Sequence, residues 1–122
     1  MQQVADVEAR VELTTLLDFY GPLLTEHRRE VMRLHCEEDL SLAEIAEQLS
    51  ITRQGVNDAV QKARRQLFDY EEKLGLAQRY RAVEDAAESA LEALDGIEEN
   101  DSNRNVLQKA KAAMNQILQI ER

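Results

Sequence analysis

The segment Asp39–Val60 constrains the fold more than any other part of the chain, because it contains two short helical patterns that begin at separate capping residues. Ser41 can accept a hydrogen bond from the first turn of the first helix, and Glu44 can reach back to the Ser41 backbone, which predicts a capping box. Thr52 is the corresponding cap of the second helix, and Ile51 lies in the turn between them. Two capped helices joined by a tight turn predict a helix-turn-helix, whose second helix is often presented to a DNA major groove.

Apolar residues recur at helical spacing in both helices of this pair, which predicts that each buries one face. They are Leu42, Ile45, Ala46 and Leu49 in the first helix, and Val56, Ala59 and Val60 in the second. Ile51 is placed to fill the gap between the two helices.

The rest of the chain also favours helices, because good helix formers dominate and proline occurs only once, as Pro22. Besides the helix that follows Ser41, the predicted helices span residues 4–20, 26–36, 53–73, 77–99 and 104–120. Gly21-Pro22 ends the first of these, Thr25 caps the second, and Gly75 fits a position just beyond a helix C-terminus. The buried face of the first helix is predicted from Val4, Val7, Val11, Leu16 and Tyr20, widened by Leu17 and Phe19.

Two regions follow from this pattern: a helix-turn-helix domain over residues 1–74 and a C-terminal helical hairpin over residues 77–122. Heptad-like spacing predicts the hairpin seam at Val83, Ala87, Ala90, Leu94 and Ile97, paired with Val106, Ala110, Ala113, Ile117 and Ile120. About 45 residues bury too little surface to be stable alone, so the hairpin must pack on the first domain or mediate a homodimer.

The net charge of −9 excludes a general nucleic-acid coat protein, because phosphate binding needs concentrated Lys and Arg. The charge is uneven along the chain. Residues 1–40 carry 4 basic and 9 acidic side chains, residues 41–82 carry 7 and 6, and residues 83–122 carry 4 and 9. The helix-turn-helix therefore lies in the one segment that is not strongly acidic.

The start of the second helix carries side chains that can read nucleic-acid bases, since Arg pairs with guanine and Gln or Asn with adenine. The candidate nucleic-acid-binding residues are Thr52, Arg53, Gln54, Asn57, Gln61, Lys62, Arg64 and Arg65. Asp58 lies among them and would repel phosphate unless it accepts from a cytosine. The alternative is a solvated helix face, on which Arg65 pairs with Asp69 four residues later.

The sequence contains no residue pattern that indicates a catalytic site or a metal site. His27, His35 and Cys36 have no metal-ligand spacing, and Cys36 fits a small buried hydrophobe. Gly55 belongs to no phosphate-binding loop, and its one functional hint is a close approach to the preceding helix or to a partner. The N-terminal residues do not fit a signal peptide and no apolar run approaches the roughly 20 residues of a membrane span, so we expect neither. We expect a cytoplasmic protein that is not an enzyme, needs no cofactor or metal and does not bind membranes.

Four segments together resemble the YlxM (p13) family of bacterial proteins: Leu17–Thr25, Leu40–Glu47, Thr52–Asp58 and Tyr70–Leu76. The similarity covers about residues 13–80, and its helix-turn-helix also resembles the last DNA-binding region of sigma factors. Members are encoded beside the signal recognition particle GTPase and its receptor. The resemblance implies an accessory protein of that targeting pathway, with the particle's protein, its small RNA or DNA as partners.

Two features depart from the family pattern. Gly55 stands where the family usually has a residue such as Ala, and the acidic segment after about residue 82 maps onto no family motif. The leading functional prediction is a non-catalytic regulator of signal-recognition-particle-dependent targeting. The alternatives are a sequence-specific transcriptional regulator, and an adaptor that binds a basic protein through the acidic hairpin.

Overall fold

The computed structural model describes the backbone of residues 2–121 and the side chains of residues 10–119. The described chain is all-α, with no strand among these residues. Its helices are α1 (Gln2–Tyr20), α2 (Glu26–Cys36), α3 (Leu42–Leu49), α4 (Arg53–Leu74), α5 (Leu76–Asp95) and α6 (Arg104–Glu121), and a short 3-10 turn (Gly21–Leu23) follows α1. The chain divides into two compact units, Met1–Ala77 and Gln78–Arg122. No described helix combines the length and apolarity needed to cross a membrane.

The buried face of α1 is formed by Leu13, Leu16, Leu17 and Tyr20, which repeat at i, i+3, i+4 and i+7. The predicted face was wrong at Val11, whose side chain is 61% exposed. The helical spacing alone allowed either register, and packing selects the one that buries Leu13. Val4 and Val7, also assigned to this face, lie outside the residues whose side chains are described.

The long helix α4 is the centre of the first unit, because α1, α2 and α3 all pack against it. The predicted stripe of Val56, Ala59 and Val60 is confirmed as buried, and it continues through Ala63 and Leu67. These residues meet Leu34 and Ile45 and the other core residues of the neighbouring helices. This continuous stripe explains why α4 runs for 22 residues, well beyond what a recognition helix alone would need.

A hydrogen-bonded node joins the ends of α1 and α4 to the start of α5. The fully buried Tyr20 hydroxyl donates to Glu71 Oε1 over 2.6 Å and accepts from the Leu76 N–H over 3.0 Å. Glu71 Oε1 also accepts from the Ala77 N–H over 3.0 Å. Gly75 ends α4 in the left-handed conformation with φ +63°, which confirms the predicted helix end. Together these contacts give the first N–H groups of α5 the partners that a helix N-terminus lacks.

The second unit is a helical hairpin whose first helix ends at Asp95, four residues before the predicted end at Glu99. Gly96 donates its N–H to the carbonyls of Glu92 and Ala93, and the chain then leaves the helix. Ile97 consequently lies outside α5 and is 48% exposed, so its place in the predicted seam was wrong.

A polar turn starts α6 as expected: Asn100 Oδ1 accepts from the N–H groups of Ser102 and Asn103, and Asn103 Oδ1 accepts from Asn100. Lys111 Nζ lies 3.1 Å from Asp95 Oδ1 and links the two helices. The turn is therefore closed by short side chains that bond to its own backbone.

The buried residues of α5 and α6 differ from those of the predicted seam. Ala87, Leu107 and Leu118 are the buried residues, whereas Val106 is 69% exposed. Val83 and Ala113, both assigned to the seam, are exposed as well. Leucine side chains have more apolar surface than valine or alanine, so burial of Leu107 and Leu118 contributes more than burial of Val106 and Ala113 would.

Candidate nucleic-acid interface

The helix-turn-helix begins with a complete capping box at α3. The Ser41 N–H donates to Glu44 Oε1 over 3.0 Å, and the Glu44 N–H donates to Ser41 Oγ over 3.1 Å. The hydrogen bond donated by the Ser41 backbone is the main reason why the pKa of the Glu44 carboxyl is held below its ordinary value. The predicted box is confirmed, so the start of α3 is fixed by two neighbouring residues.

The turn that presents α4 is closed by backbone and side-chain hydrogen bonds. Ser50 adopts the left-handed conformation with φ +58°, and the Ile51 N–H donates to the Ala46 carbonyl over 3.0 Å. Ile51 is half-buried and packs against the core, as predicted. Thr52 Oγ1 then accepts from the Gly55 N–H over 2.9 Å, which confirms the cap of α4. The first turn of α4 is therefore held in one orientation.

Gly55 does not provide a close approach to α3. A Cβ at this position would meet only Thr52 Oγ1, at 3.1 Å, and no atom of α3 within 4 Å. The glycine instead leaves room for the capping hydroxyl, so the hypothesis of a tight helix crossing at Gly55 was wrong.

All the predicted site residues are exposed along the first 13 residues of α4 and its cap: Thr52, Arg53, Gln54, Asn57, Gln61, Lys62, Arg64 and Arg65. A helix turns by about 100° per residue, so these side chains divide into three groups relative to the buried stripe. Gln54, Gln61 and Arg65 lie opposite the stripe and define the outward face.

The two flanks of this outward face carry different residues. Arg53, Asn57 and Arg64 lie on one flank, with the two arginines about 16 Å apart along the axis because eleven residues separate them. Lys62 lies on the other flank, on the same side of α4 as Gln66. The predicted residues therefore surround the outward half of α4 and do not form a single patch.

The cations of this surface are not neutralised by carboxylates. Arg53, Lys62 and Arg65 form no ion pair among the side chains of residues 10–119, so the pair that spacing allows between Arg65 and Asp69 is not formed. The Arg64 guanidinium carbon lies 5.9 Å from the centroid of the Phe68 ring. This cation–π contact directs Arg64 along α4 without cancelling its charge.

Asp58 is exposed on the same outward face and is the carboxylate nearest to the base-reading residues in sequence. It places a negative charge between Gln54 and Gln61, one turn from each. A phosphate would be repelled here, whereas the amino group of a cytosine could donate to this carboxylate. The outward face therefore favours contact with base edges over contact with phosphate.

Arg28 of α2 also lies beside this surface, although it was not among the residues predicted from the sequence. Its Nη1 donates to Gln66 Oε1 over 3.0 Å, and this contact brings α2 against the flank of α4 that carries Lys62. No local signal could have revealed the contact, because the two residues are 38 positions apart.

The histidines and the cysteine assemble no catalytic or metal-binding group. Among the described residues no cluster of three or more potential ligands occurs. Cys36 is half-buried, and burial is the main reason why the pKa of its thiol is raised, which disfavours the reactive thiolate. His35 is half-buried, and its Nδ1 has no hydrogen-bond partner among the described residues. His27 lies apart from both, on the exposed side of α2.

Comparison with known proteins identifies the family of the chain. Residues 7–114 match the family model described as "Putative helix-turn-helix protein, YlxM / p13 like". This match extends well past residue 82, so the expectation that the acidic hairpin lies outside the family pattern was wrong.

Curated relatives are similar in sequence to this chain over most of their length. A UPF0122 protein of Clostridium kluyveri is 41% identical over 105 residues, which cover 86% of this chain and 94% of the relative. A UPF0122 protein of Desulforamulus reducens is 39% identical over 108 residues, covering 88% and 92%. One from Clostridium novyi is 33% identical over 113 residues, covering 93% and 98%. The chain therefore belongs to the YlxM/p13-like family of helix-turn-helix proteins.

Proposed function

We propose that the protein is a non-catalytic regulator of the signal recognition particle pathway that binds nucleic acid through α4. Binding of nucleic acid is supported mainly by the exposure of Arg53, Gln54 and Asn57. They lie in the first two turns of α4, whose start is fixed by the Thr52 cap. Guanidinium and amide groups at this position can pair with base edges. The pathway assignment is supported by the family, since YlxM-like proteins are encoded beside the particle's GTPase and receptor.

The distribution of charge supports binding at α4 despite the net charge of −9. Arg10 pairs with Asp39, and Arg33 pairs with Glu30 and Glu38, so these two arginines are neutralised. The cations on α4 have no such partners within residues 10–119. Uncompensated positive charge therefore lies on the helix that carries the base-reading residues, which favours approach of a polyanion from this side.

A second candidate function is a sequence-specific DNA-binding regulator. It is favoured by Gln54 and Asn57, which can each read adenine when a helix enters the major groove of B-form DNA. The major groove of A-form RNA is too narrow for side chains to read in this way. Base reading by α4 would thus favour DNA, whereas contact through the flanking cations would suit the particle's small RNA equally well.

The test is a titration of the full chain against three labelled probes at 50 and 200 mM salt. The probes are the small RNA of the particle, the same RNA with its GTPase protein, and a duplex DNA of random sequence. Selective binding to either particle sample supports the targeting role. Failure to bind both particle samples at low salt excludes it, and selective recovery of DNA sites from a random pool would then favour the DNA-binding regulator.

Gln54→Ala tests whether α4 carries the recognition. We expect a loss of about 1–3 kcal/mol in binding free energy for the preferred nucleic acid, because one bidentate base contact is removed. Gln108→Ala is the matched control, since Gln108 is an exposed glutamine on α6 and should have no effect. Equal affinities for both variants and the original protein would exclude base reading by Gln54.

A further inference from the structure

Within residues 10–119, Arg28 and Arg29 of α2 form no ion pair, and Arg28 is hydrogen-bonded to α4 through Gln66. Arg10 and Arg33 are both paired with carboxylates. Glu30, two residues after Arg28 on α2, is engaged with Arg33 through contacts of 2.7 and 3.1 Å. Within residues 10–119 Arg28 forms no ion pair, and the one hydrogen bond of its side chain is to a neutral amide.

The neutral partner of Arg28 is itself held in place. Gln66 accepts from Arg28 Nη1 through Oε1, while its Nε2 donates to the Tyr70 hydroxyl over 3.1 Å. Tyr70 is stacked on the buried Tyr20, with ring centroids 5.7 Å apart. The Arg28 guanidinium is therefore oriented by a series of contacts that reaches the core. Its positive charge is preserved because Gln66, the residue that it contacts, is neutral.

The position of Arg28 places this charge beside two further cations. Lys62 precedes Gln66 by four residues, so the two lie on the same side of α4 and about 6 Å apart along the axis. Arg65 follows on the adjacent outward face. Both residues are exposed and unpaired among the described side chains. Arg28 of α2 and Lys62 of α4 thus border the flank of α4 that faces α2, with Arg65 on the neighbouring outward face.

We infer that Arg28 and Lys62 form a phosphate-binding pair, through which α2 contacts the sugar-phosphate backbone of the nucleic acid whose bases α4 approaches. This inference rests on the proposed function and extends the interface from one helix to two. The Arg28 guanidinium has five N–H donors, one of which is used by Gln66, so the remaining donors can bind phosphodiester oxygens. The pair strengthens binding equally for every sequence, since phosphate contacts carry no base information.

The test measures how binding depends on salt. The full chain is titrated at 50 to 400 mM salt against a 20-base-pair duplex DNA of random sequence and, in parallel, against the small RNA of the particle. For duplex DNA, Arg28→Gln should lower the slope of log affinity against log salt by about 0.9, since one phosphate contact is lost. The affinity gained on a tenfold reduction in salt should therefore be about eightfold smaller for Arg28→Gln than for the original protein.

Arg33→Gln is the matched control, because it removes the same charge from the same helix at a residue that is already paired. It should leave the slope unchanged, and Arg28→Lys should retain most of it because the charge stays. Thermal unfolding monitored by circular dichroism checks that each variant is folded.

An equal slope change in Arg28→Gln and Arg33→Gln would overturn the inference, since only the net charge would then matter. An unchanged slope in Arg28→Gln would overturn it as well. If the original protein binds neither probe, the proposed function itself fails. The DNA and RNA titrations show which nucleic acid supplies the phosphate.

Discussion

Removing the Tyr20 hydroxyl should destabilise the first unit more than any other change of a single oxygen atom in its core. Tyr20→Phe deletes a group that donates to Glu71 and accepts from the Leu76 N–H. A hydrogen bond to a charged group contributes about 1.5–3 kcal/mol, and the Leu76 N–H loses its acceptor as well. We expect the free energy of unfolding to fall by about 2–3 kcal/mol.

The assay is urea unfolding followed by circular dichroism, combined with hydrogen exchange at the Leu76 and Ala77 amides. A loss of 2–3 kcal/mol lowers the urea midpoint by about 1–2 M at a typical slope for a small domain. Exchange at Leu76 should accelerate, because its acceptor is gone. Tyr70→Phe is the matched control: its hydroxyl accepts from Gln66, and its loss should cost only about 0.5–1.5 kcal/mol.

The same node makes stability depend on alkaline pH. Burial and the hydrogen bond to Glu71 raise the pKa of Tyr20 above its ordinary value of 10.0. The resulting stabilisation is fully present below pH 10 and is lost as the pH rises through the folded-state pKa. The original protein should therefore lose stability above about pH 10, and Tyr20→Phe should lose less. Equal urea midpoints for Tyr20→Phe and Tyr70→Phe, with unchanged exchange at Leu76, would refute this explanation of the node.

Three further changes test the helices that position the site. Because the pKa of Glu44 is lowered, its contribution is present above the ordinary value of 4.5 and lost as the pH falls, so Glu44→Gln should flatten the acid dependence of the thermal midpoint. Leu67→Ala removes a fully buried side chain and should cost about 2–5 kcal/mol in urea unfolding, whereas Val106→Ala, at an exposed position, should change it by less than about 0.5. Gly75→Ala should cost about 1–2 kcal/mol through its positive φ alone, since nothing lies within 4 Å of an added Cβ, and Gly96→Ala should cost less. Equal midpoints for the two members of either control pair would contradict the corresponding prediction.

The parts of the fold that the sequence predicts well are those fixed by residues close together in the chain. Ser41 and Glu44 form the capping box within one helical turn, Thr52 caps α4 through Gly55, and Gly75 ends it. Each of these contacts spans at most four residues. Their outcome depends little on how the rest of the molecule packs.

Features that depend on distant contacts could not be predicted. The Tyr20–Glu71 hydrogen bond joins residues 51 positions apart, and Arg28 meets Gln66 across 38 positions. The prediction of which helical residues are buried was wrong at some positions for a related reason. Val11 and Val106 fit an apolar period, but the register that buries more surface excludes them. A one-dimensional pattern defines the width of an apolar face, whereas the packing partner selects which part of it is covered.

The exposure of the candidate residues on α4 could be predicted from the sequence, whereas the position of the surrounding charges on α2 and α4 follows only from the structure. Exposure of Arg53 and Gln54 follows from their spacing relative to the buried stripe. The unpaired state of Arg65 and the orientation of Arg28 depend on which carboxylates other cations have already engaged. That competition is decided in three dimensions.

The most direct test of the claim that α4 binds nucleic acid is the change in backbone amide chemical shifts of the labelled full chain as duplex DNA or the particle's small RNA is added. We expect the largest changes at Thr52–Arg65 and at Arg28, with residues 104–119 of α6 unaffected. Changes confined to the hairpin, or a spectrum that does not respond to either nucleic acid at low salt, would contradict a nucleic-acid interface on α4.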